Sequence, residues 1–160
     1  MRFATRWLRF NLGSGTMGAM EPLAVIRSLS LPSSVEEAWR SVLDAGWLGD
    51  RVDLALVAGA TGTIAEDGVV RRAVVTEVVE GAALRLVWWD EADPAVVSTV
   101  EVEVAADGDG AAVTVTEQVL GGAVALVGEA SVLDLGAAGP AWDRRLRALV
   151  GEVALLPVGA

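Results

Sequence analysis

Residues 96–118 alternate between apolar and polar side chains, so that every second residue shares one side of an extended chain. The clearest runs are Val100-Glu101-Val102-Glu103-Val104 and Val113-Thr114-Val115-Thr116. Such alternation is typical of antiparallel strands with one covered and one solvated face. Pairs such as Asp67-Gly68 and Glu80-Gly81 suit the tight turns of hairpins. The pattern predicts strands at Val25–Leu31, Arg51–Val57, Thr61–Glu66, Val69–Glu80, Ala82–Trp89, Val96–Ala106 and Ala111–Gln118.

A first helix is predicted directly after the first strand. Ser33-Ser34-Val35-Glu36 follows Pro32 and has the spacing of a capping box, with Ser33 as the cap and Glu36 as its partner. Apolar residues then recur at helical spacing, and the helix is expected to end near Ala45-Gly46. The residues on its apolar face are Val35, Ala38, Trp39 and Val42.

A second helix is predicted near the C-terminus, where Gly139-Pro140 places proline at a tolerated first position. Trp142, Leu146, Leu149 and Val150 form one stripe, and Asp143, Arg144, Arg145 and Arg147 occupy the rest of the surface. The order strand, helix, meander, helix predicts an α+β domain in which this long C-terminal helix covers the dry face of a curved antiparallel sheet.

Two segments do not fit this pattern. Residues 1–22 combine arginines with aromatic residues and then a Gly/Ser stretch, and we interpret them as a disordered tail or as sequence upstream of a true start at Met17 or Met20. A basic leader that touches a membrane surface is the alternative, although a continuous apolar signal region is missing. Val119–Ala138 fits either a short strand or a further helix. The predicted domain spans residues 23–156.

Composition narrows the chemistry. The chain has no cysteine and no histidine, which excludes disulfides, thiol nucleophiles, Ser–His pairs and nearly all zinc sites. No acidic cluster has calcium-loop spacing, so we expect neither metal nor cofactor. A net charge of −10 disfavours nucleic-acid binding. The most apolar stretch, Val119–Leu135, is interrupted by glycines and acids, so we expect no transmembrane segment. The absence of cysteine fits a reducing compartment, so we expect a cytoplasmic protein.

Several local patterns resemble the SRPBCC (START-like) superfamily, and most closely the family named for the activator of heat-shock protein 90 ATPase, C-terminal domain type. Leu29–Trp39 is similar to its strand, cap and helix, although Ala38 replaces the usual valine. Ala73–Trp88 is similar to its hairpin, which ends in Leu-x-x-x-Trp, and Ser98–Glu117 to the hairpin that follows. Ala141–Leu149 resembles its closing Gly-Trp-x-x-x-Leu-x-x-Leu helix, with Ala141 in place of glycine.

This resemblance implies a helix-grip (START-like, Bet v 1-like) fold with a space between the concave sheet and the C-terminal helix. Strand phase puts Leu86 and Trp88 on the inner face, and also Arg71, Ala73, Val75 and Glu77 together on their own strand. An inward glutamate needs a partner or a raised pKa, so Glu77 and Glu117 are candidates. The predicted cavity residues are Trp39, Arg71, Val75, Glu77, Leu86, Trp88, Val102, Val115, Glu117, Trp142 and Leu146.

Three functions remain open at this point. The first is a non-catalytic domain that binds a hydrophobic small molecule or lipid in that cavity. The second, implied by the family name alone, is a chaperone-associated interaction domain of the bacterial stress response. The third is an enzyme of the polyketide cyclase or dehydratase kind, whose acid–base work would fall to Glu77 or Glu117. The predicted oligomeric state is a monomer or a homodimer.

Overall fold

The computed structural model describes residues 3–6, 24–120 and 139–151. Its eight strands form one curved antiparallel sheet in the order β1-β2-β8-β7-β6-β5-β4-β3. The strands are β1 (Phe3–Arg6), β2 (Ala24–Leu31), β3 (Arg51–Asp53), β4 (Thr61–Glu66), β5 (Val69–Val79), β6 (Ala83–Asp90), β7 (Val97–Asp107) and β8 (Gly110–Val119). The helices are α1 (Val35–Leu43), a 3-10 turn (Ala45–Leu48) and α2 (residues 139–151).

The meander of hairpins is confirmed, and most predicted strand bounds agree within one residue. The exception is the third strand, which was expected to run to Val57 but ends at Asp53. The backbone leaves the ladder after Asp53 and turns at residues 57–59, with Gly59 at a φ of 86° and its N–H donating to the carbonyl of Val75. Glycine tolerates this left-handed conformation without strain.

Helix α1 is capped by Ser34 rather than by Ser33. The Ser34 hydroxyl accepts from the Glu37 N–H, and the Glu37 carboxylate accepts from the Ser34 N–H. The expected Ser33–Glu36 box is thus wrong by one residue, because the helix begins at Val35, which makes Ser34 the cap and Glu37 its partner. Glu36 instead pairs with Arg40 along the helix surface.

Strand β5 contains a bulge between Val75 and Glu77, and after it the alternate residues point to opposite faces of the sheet from those expected. Before the bulge Ala73 and Val75 are buried; after it Val78 packs against the core, and Glu77 is exposed. The expectation that Glu77 shares a face with Arg71 is therefore wrong. Glu77 lies on the outer face, where it pairs with Arg85, and Arg85 also pairs with Glu101.

The inner face of the sheet is closed by α1 and α2. Helix α1 lies against β7 and β8, and Trp142, Leu146 and Leu149 of α2 are fully buried. This confirms that the C-terminal helix covers the dry face, as the pattern predicts. Burying these side chains is the main source of stability in such a layered arrangement.

Two of the sequence interpretations fall largely outside the described residues. Within the predicted tail, 1–22, the structure describes only β1, which pairs with β2 from Phe3 opposite Leu29 to Arg6 opposite Ile26; the interpretation of the whole segment stays a prediction. Residues 121–138 are not described, so the secondary structure of Val119–Ala138 beyond Leu120 is also untested. No helix in the described part of the chain is long and apolar enough to cross a bilayer.

Candidate functional site

A buried carboxylate joins the sheet to α2. Glu117 lies on β8, with 8% of its surface exposed, and its two oxygens accept from two different indoles. Oε1 accepts from Nε1 of Trp88 at 2.9 Å, and Oε2 accepts from Nε1 of Trp142 at 2.6 Å. Since Trp88 belongs to β6 and Trp142 to α2, this single carboxylate connects two strands and the helix.

The two indoles that hold Glu117 also stack on each other. The rings of Trp88 and Trp142 lie 5.5 Å apart and are inclined by only 17°. Trp47, from the 3-10 turn, packs against Trp142 at 6.3 Å and donates its own N–H to the Val42 carbonyl. These three buried tryptophans and Glu117 form what we call the indole cluster. Aromatic contacts of this geometry add to the energy of burial alone.

A buried arginine closes the cluster from the α2 side. The Arg145 guanidinium lies 4.4 Å from the Trp142 ring centre and 5.0 Å from that of Trp88, and its Nε donates to Glu66 at 2.8 Å. Burial lowers the pKa of Arg145 below its ordinary value, and Glu66 opposes that shift. Arg144 binds the other oxygen of Glu66 and also Asp67. The charged Arg145 is tolerated on the buried side of α2 because its partner, Glu66, is buried with it.

A second ion pair fixes the beginning of α2. Arg27 of β2 is 7% exposed, and its Nε donates to Asp143 at 3.0 Å. Its guanidinium also fills the space beside Gly139, where an added Cβ would lie 2.3 Å from an arginine nitrogen. Helix α2 is therefore held on the sheet by one ion pair on each side of the indole cluster.

An open cleft borders this assembly on the side of Arg145. Its volume is about 160 Å³, and its lining includes Trp47, Glu66, Arg144 and Arg145. Small-molecule sites usually measure about 300–1,000 Å³. The cleft alone thus suits a small group rather than a whole hydrophobic ligand, and Trp47 of the indole cluster is among its lining residues.

Some of the predicted cavity residues lie together under α2. Trp88, Glu117, Trp142 and Leu146 meet there, and Arg71 reaches the Trp88 ring at 5.1 Å. The remaining apolar residues line the inner face and have almost no accessible surface: Val75 0%, Leu86 1%, Val102 0% and Val115 0%. These side chains pack against protein atoms, so any ligand beside them must displace part of the structure.

Two predicted residues lie away from this assembly. Trp39 is buried on α1, and its indole N–H donates to Glu80 at the β5–β6 turn. Trp88 is paired with Ser98 near the other end of the same strands. Glu77 is on the outer face, as the bulge in β5 requires. Whether either residue contacts a ligand stays a prediction.

Sequence reasoning missed Glu66, Arg145 and Trp47. Arg145 was assigned to the polar surface of the helix, yet it lies three residues after Trp142 and one before Leu146, which is within the buried stripe. That spacing was a usable signal. Glu66 gave none, because it precedes the Asp67-Gly68 turn, where an exposed charge is the ordinary expectation.

The described residues contain no group of three or more acidic, histidine or cysteine side chains arranged to hold a metal ion. Both oxygens of Glu117 and both oxygens of Glu66 accept from donors of the protein. The arrangement combines buried aromatic rings with a few paired charges.

The chain matches no family model and no curated protein at a significant level. Solved structures do match it. CalU16 from Micromonospora echinospora aligns with a TM-score of 0.67 and 18% identity over 98% of this chain and 88% of CalU16. DynU16, described as a protein of the dynemicin biosynthetic locus, aligns with 0.66 and 18% over 82% of this chain and 47% of DynU16. Ara h 8.0201 aligns with 0.59 and 12% over 82% and 97% of the two chains.

At these identities the comparisons establish the fold alone. It is the expected α+β, helix-grip fold of SRPBCC and Bet v 1-like proteins. Membership of the narrower family named for the activator of heat-shock protein 90 ATPase stays a prediction.

Proposed function

We propose that this helix-grip domain binds a small hydrophobic molecule between its sheet and α2, without converting it chemically. The observation that carries the proposal is the Glu117 carboxylate, which is buried on a largely apolar face and accepts hydrogen bonds from the indoles of Trp88 and Trp142. Binding sites for small molecules combine apolar walls with a few fixed polar groups in this way. A plain structural core would gain more from an apolar residue at this position.

The closed inner face implies that binding involves movement of α2. Its hold on the sheet depends on polar contacts with Glu117, Glu66 and Arg27, besides its apolar stripe. Polar contacts can be exchanged for contacts with water or ligand at modest net cost. We place the access route at the open cleft, because Trp47 of the indole cluster is among its lining residues.

No observation favours the alternative functions. A catalytic Glu77 would have to act from the outer face of the sheet, and each oxygen of Glu117 already accepts a hydrogen bond from a buried indole. The chaperone-associated role and the cytoplasmic location stay predictions of the sequence.

The first test is native mass spectrometry of the protein purified gently from its own host, compared with its denatured mass. We expect an added mass that disappears on denaturation. The chain offers a matched pair of variants, Trp142→Phe in the indole cluster and Trp89→Phe on the outer side of β6. Trp142→Phe should lose the added mass, whereas Trp89→Phe should keep it.

Recombinant protein gives a second measurement with defined probes, dodecanol and dodecanoate, titrated while tryptophan fluorescence is recorded. We expect at least one probe to bind the wild type and to bind Trp142→Phe more weakly than Trp89→Phe. Equal binding by both variants would place the ligand elsewhere. An unliganded native mass together with no binding of either probe would refute the proposal.

A further inference from the structure

The charged side chains on the inner face are almost all paired. Arg27 is bonded to Asp143, Glu66 to two arginines of α2, and Glu117 to two indoles. Arg71 is the exception. No hydrogen bond or ion pair joins its guanidinium to any residue within ranges 3–6, 24–120 and 139–151, and its one described contact is the face of Trp88 at 5.1 Å.

Strand phase explains why Arg71 lies on the inner face of the sheet. It precedes the bulge in β5 and so shares the inner face with Ala73 and Val75. Its cross-strand partners are Ile64 on β4, two residues before Glu66 of the cleft, and Asp90 on β6. Asp90 accepts from the Ala92 N–H and forms no ion pair with Arg71 in the described part of the chain. The guanidinium is therefore at the same end of the sheet as the cleft, and it is partly open to solvent.

A second positive charge lies close by. Arg145 is on the same ring of Trp88, at 5.0 Å, and the charge of Arg71 adds to burial in disfavouring the charged form of Arg145, so that both lower its pKa. Two guanidinium groups that share one aromatic ring repel each other. A negatively charged group placed beside Arg71 would relieve this repulsion and would also satisfy the donors of Arg71.

We propose that the ligand is an anionic amphiphile, whose negatively charged head group pairs with Arg71 while its apolar part lies against Trp88 and α2. This inference rests on the proposed function and specifies its ligand class. An arginine is suited to the role because its planar fork can donate two parallel bonds to a carboxylate or a phosphate. The short distance from the guanidinium to the Trp88 ring puts the apolar part directly at the indole cluster.

The test compares dodecanoate with dodecanol, which differ in charge but have the same number of carbon atoms, below the critical micelle concentration of dodecanoate and the solubility limit of dodecanol. Arg71→Gln should weaken dodecanoate binding by about tenfold or more, because charge-assisted bonds contribute about 1.5–3 kcal/mol. Binding of dodecanol should change by less than about twofold. The matched control is Arg72→Gln, which removes an exposed arginine from the outer face of the same strand and should change neither affinity.

Arg71→Lys is a second variant that distinguishes a loss of head-group binding from a folding defect in Arg71→Gln. It keeps the charge but loses the fork, so it should weaken dodecanoate binding by a smaller factor than Arg71→Gln and leave dodecanol binding unchanged. Raising the salt concentration should weaken dodecanoate binding to the wild type more than to Arg71→Gln.

The outcomes separate the two proposals. If the wild type binds both probes and Arg71→Gln weakens neither, or weakens both equally, the head-group inference is wrong and the hydrophobic site stands. If the wild type binds neither probe, both proposals fail together.

Discussion

Replacing Glu117 by glutamine tests whether the buried carboxylate holds the sheet and α2 together. Glutamine has nearly the same shape but only one oxygen acceptor, whereas two indole N–H groups point at this side chain, at 2.9 and 2.6 Å. In the variant the amide NH₂ faces one of these donors. One indole is thereby left without an acceptor in a buried site.

The magnitude follows from these contacts. A hydrogen bond to a charged group contributes about 1.5–3 kcal/mol, and a buried donor left unpaired costs about 1–3 kcal/mol. Part of this loss is offset because a neutral amide is cheaper to bury than a carboxylate. We expect Glu117→Gln to lower the free energy of unfolding by about 2–4 kcal/mol at pH 7, which is severe for a domain with a total of about 5–15 kcal/mol.

The assay is urea unfolding followed by tryptophan fluorescence, since the rings of Trp88 and Trp142 leave a buried environment on unfolding. With an m-value of about 2 kcal/mol/M, the midpoint should fall by about 1–2 M. Glu91→Gln is the control, because Glu91 pairs with Arg72 on the exposed surface, where a pair contributes at most about 1 kcal/mol.

Equal midpoints for the two variants would refute the reasoning, because they would mean that the carboxylate contributes no more than a surface ion pair. A double-mutant cycle with Trp142→Phe sharpens the result. If the bond between Glu117 and Trp142 carries the effect, the two changes together should cost clearly less than their sum.

Three further predictions concern the framework. Ser34→Ala should lower stability by about 1 kcal/mol, because it removes the α1 cap. Ser33→Ala should be neutral or stabilising, because the buried Ser33 hydroxyl has no hydrogen-bond partner in the described part of the chain. The opposite ranking in urea unfolding would restore Ser33 as the cap. Gly62→Ala should destabilise by about 1–3 kcal/mol or more, because the new Cβ would lie 2.0 Å from a backbone oxygen next to β4; a melting temperature like that of the wild type would contradict this contact. Burial, and then the negative charge of Glu101, raise the pKa of Glu103, so the charged form of Glu103 is disfavoured in the folded state. Glu103→Gln should therefore give a small gain in stability at pH 7 that disappears as the pH falls below about 4, where the carboxyl group is protonated in both states. A gain that persists in acid would show another cause.

The strands could be predicted well because each is bounded by residues with strong turn preferences. Thr61–Glu66 was predicted with the bounds that the structure has, since Asp67-Gly68 fixes its end. The bulge in β5 was harder to predict, because regular strand phase places Glu77 on the same face as Val75. Its trace in the sequence is Val78, an apolar residue out of phase with Val75, which packs against the core after the bulge.

The candidate site could be predicted only in part. Strand phase correctly placed Glu117 on the inner face, because it is in register with Val113 and Val115 on β8. Its partners could not be inferred, because they come from β6 and α2, and periodicity within one segment says nothing about which segments meet. The same holds for the pair of Glu66 and Arg145, which are 79 residues apart in the chain.

The stacked pair of Trp88 and Trp142 has a consequence for spectroscopy. The two rings lie 5.5 Å apart and nearly parallel, and one belongs to the sheet while the other belongs to the helix. Neighbouring indoles at this separation share their electronic excitation, and such exciton coupling gives a pair of bands of opposite sign in circular dichroism. The couplet exists only while the helix is docked on the sheet. The intensity of this couplet thus reports whether α2 is docked on the sheet, and its change with time can be recorded without any added label.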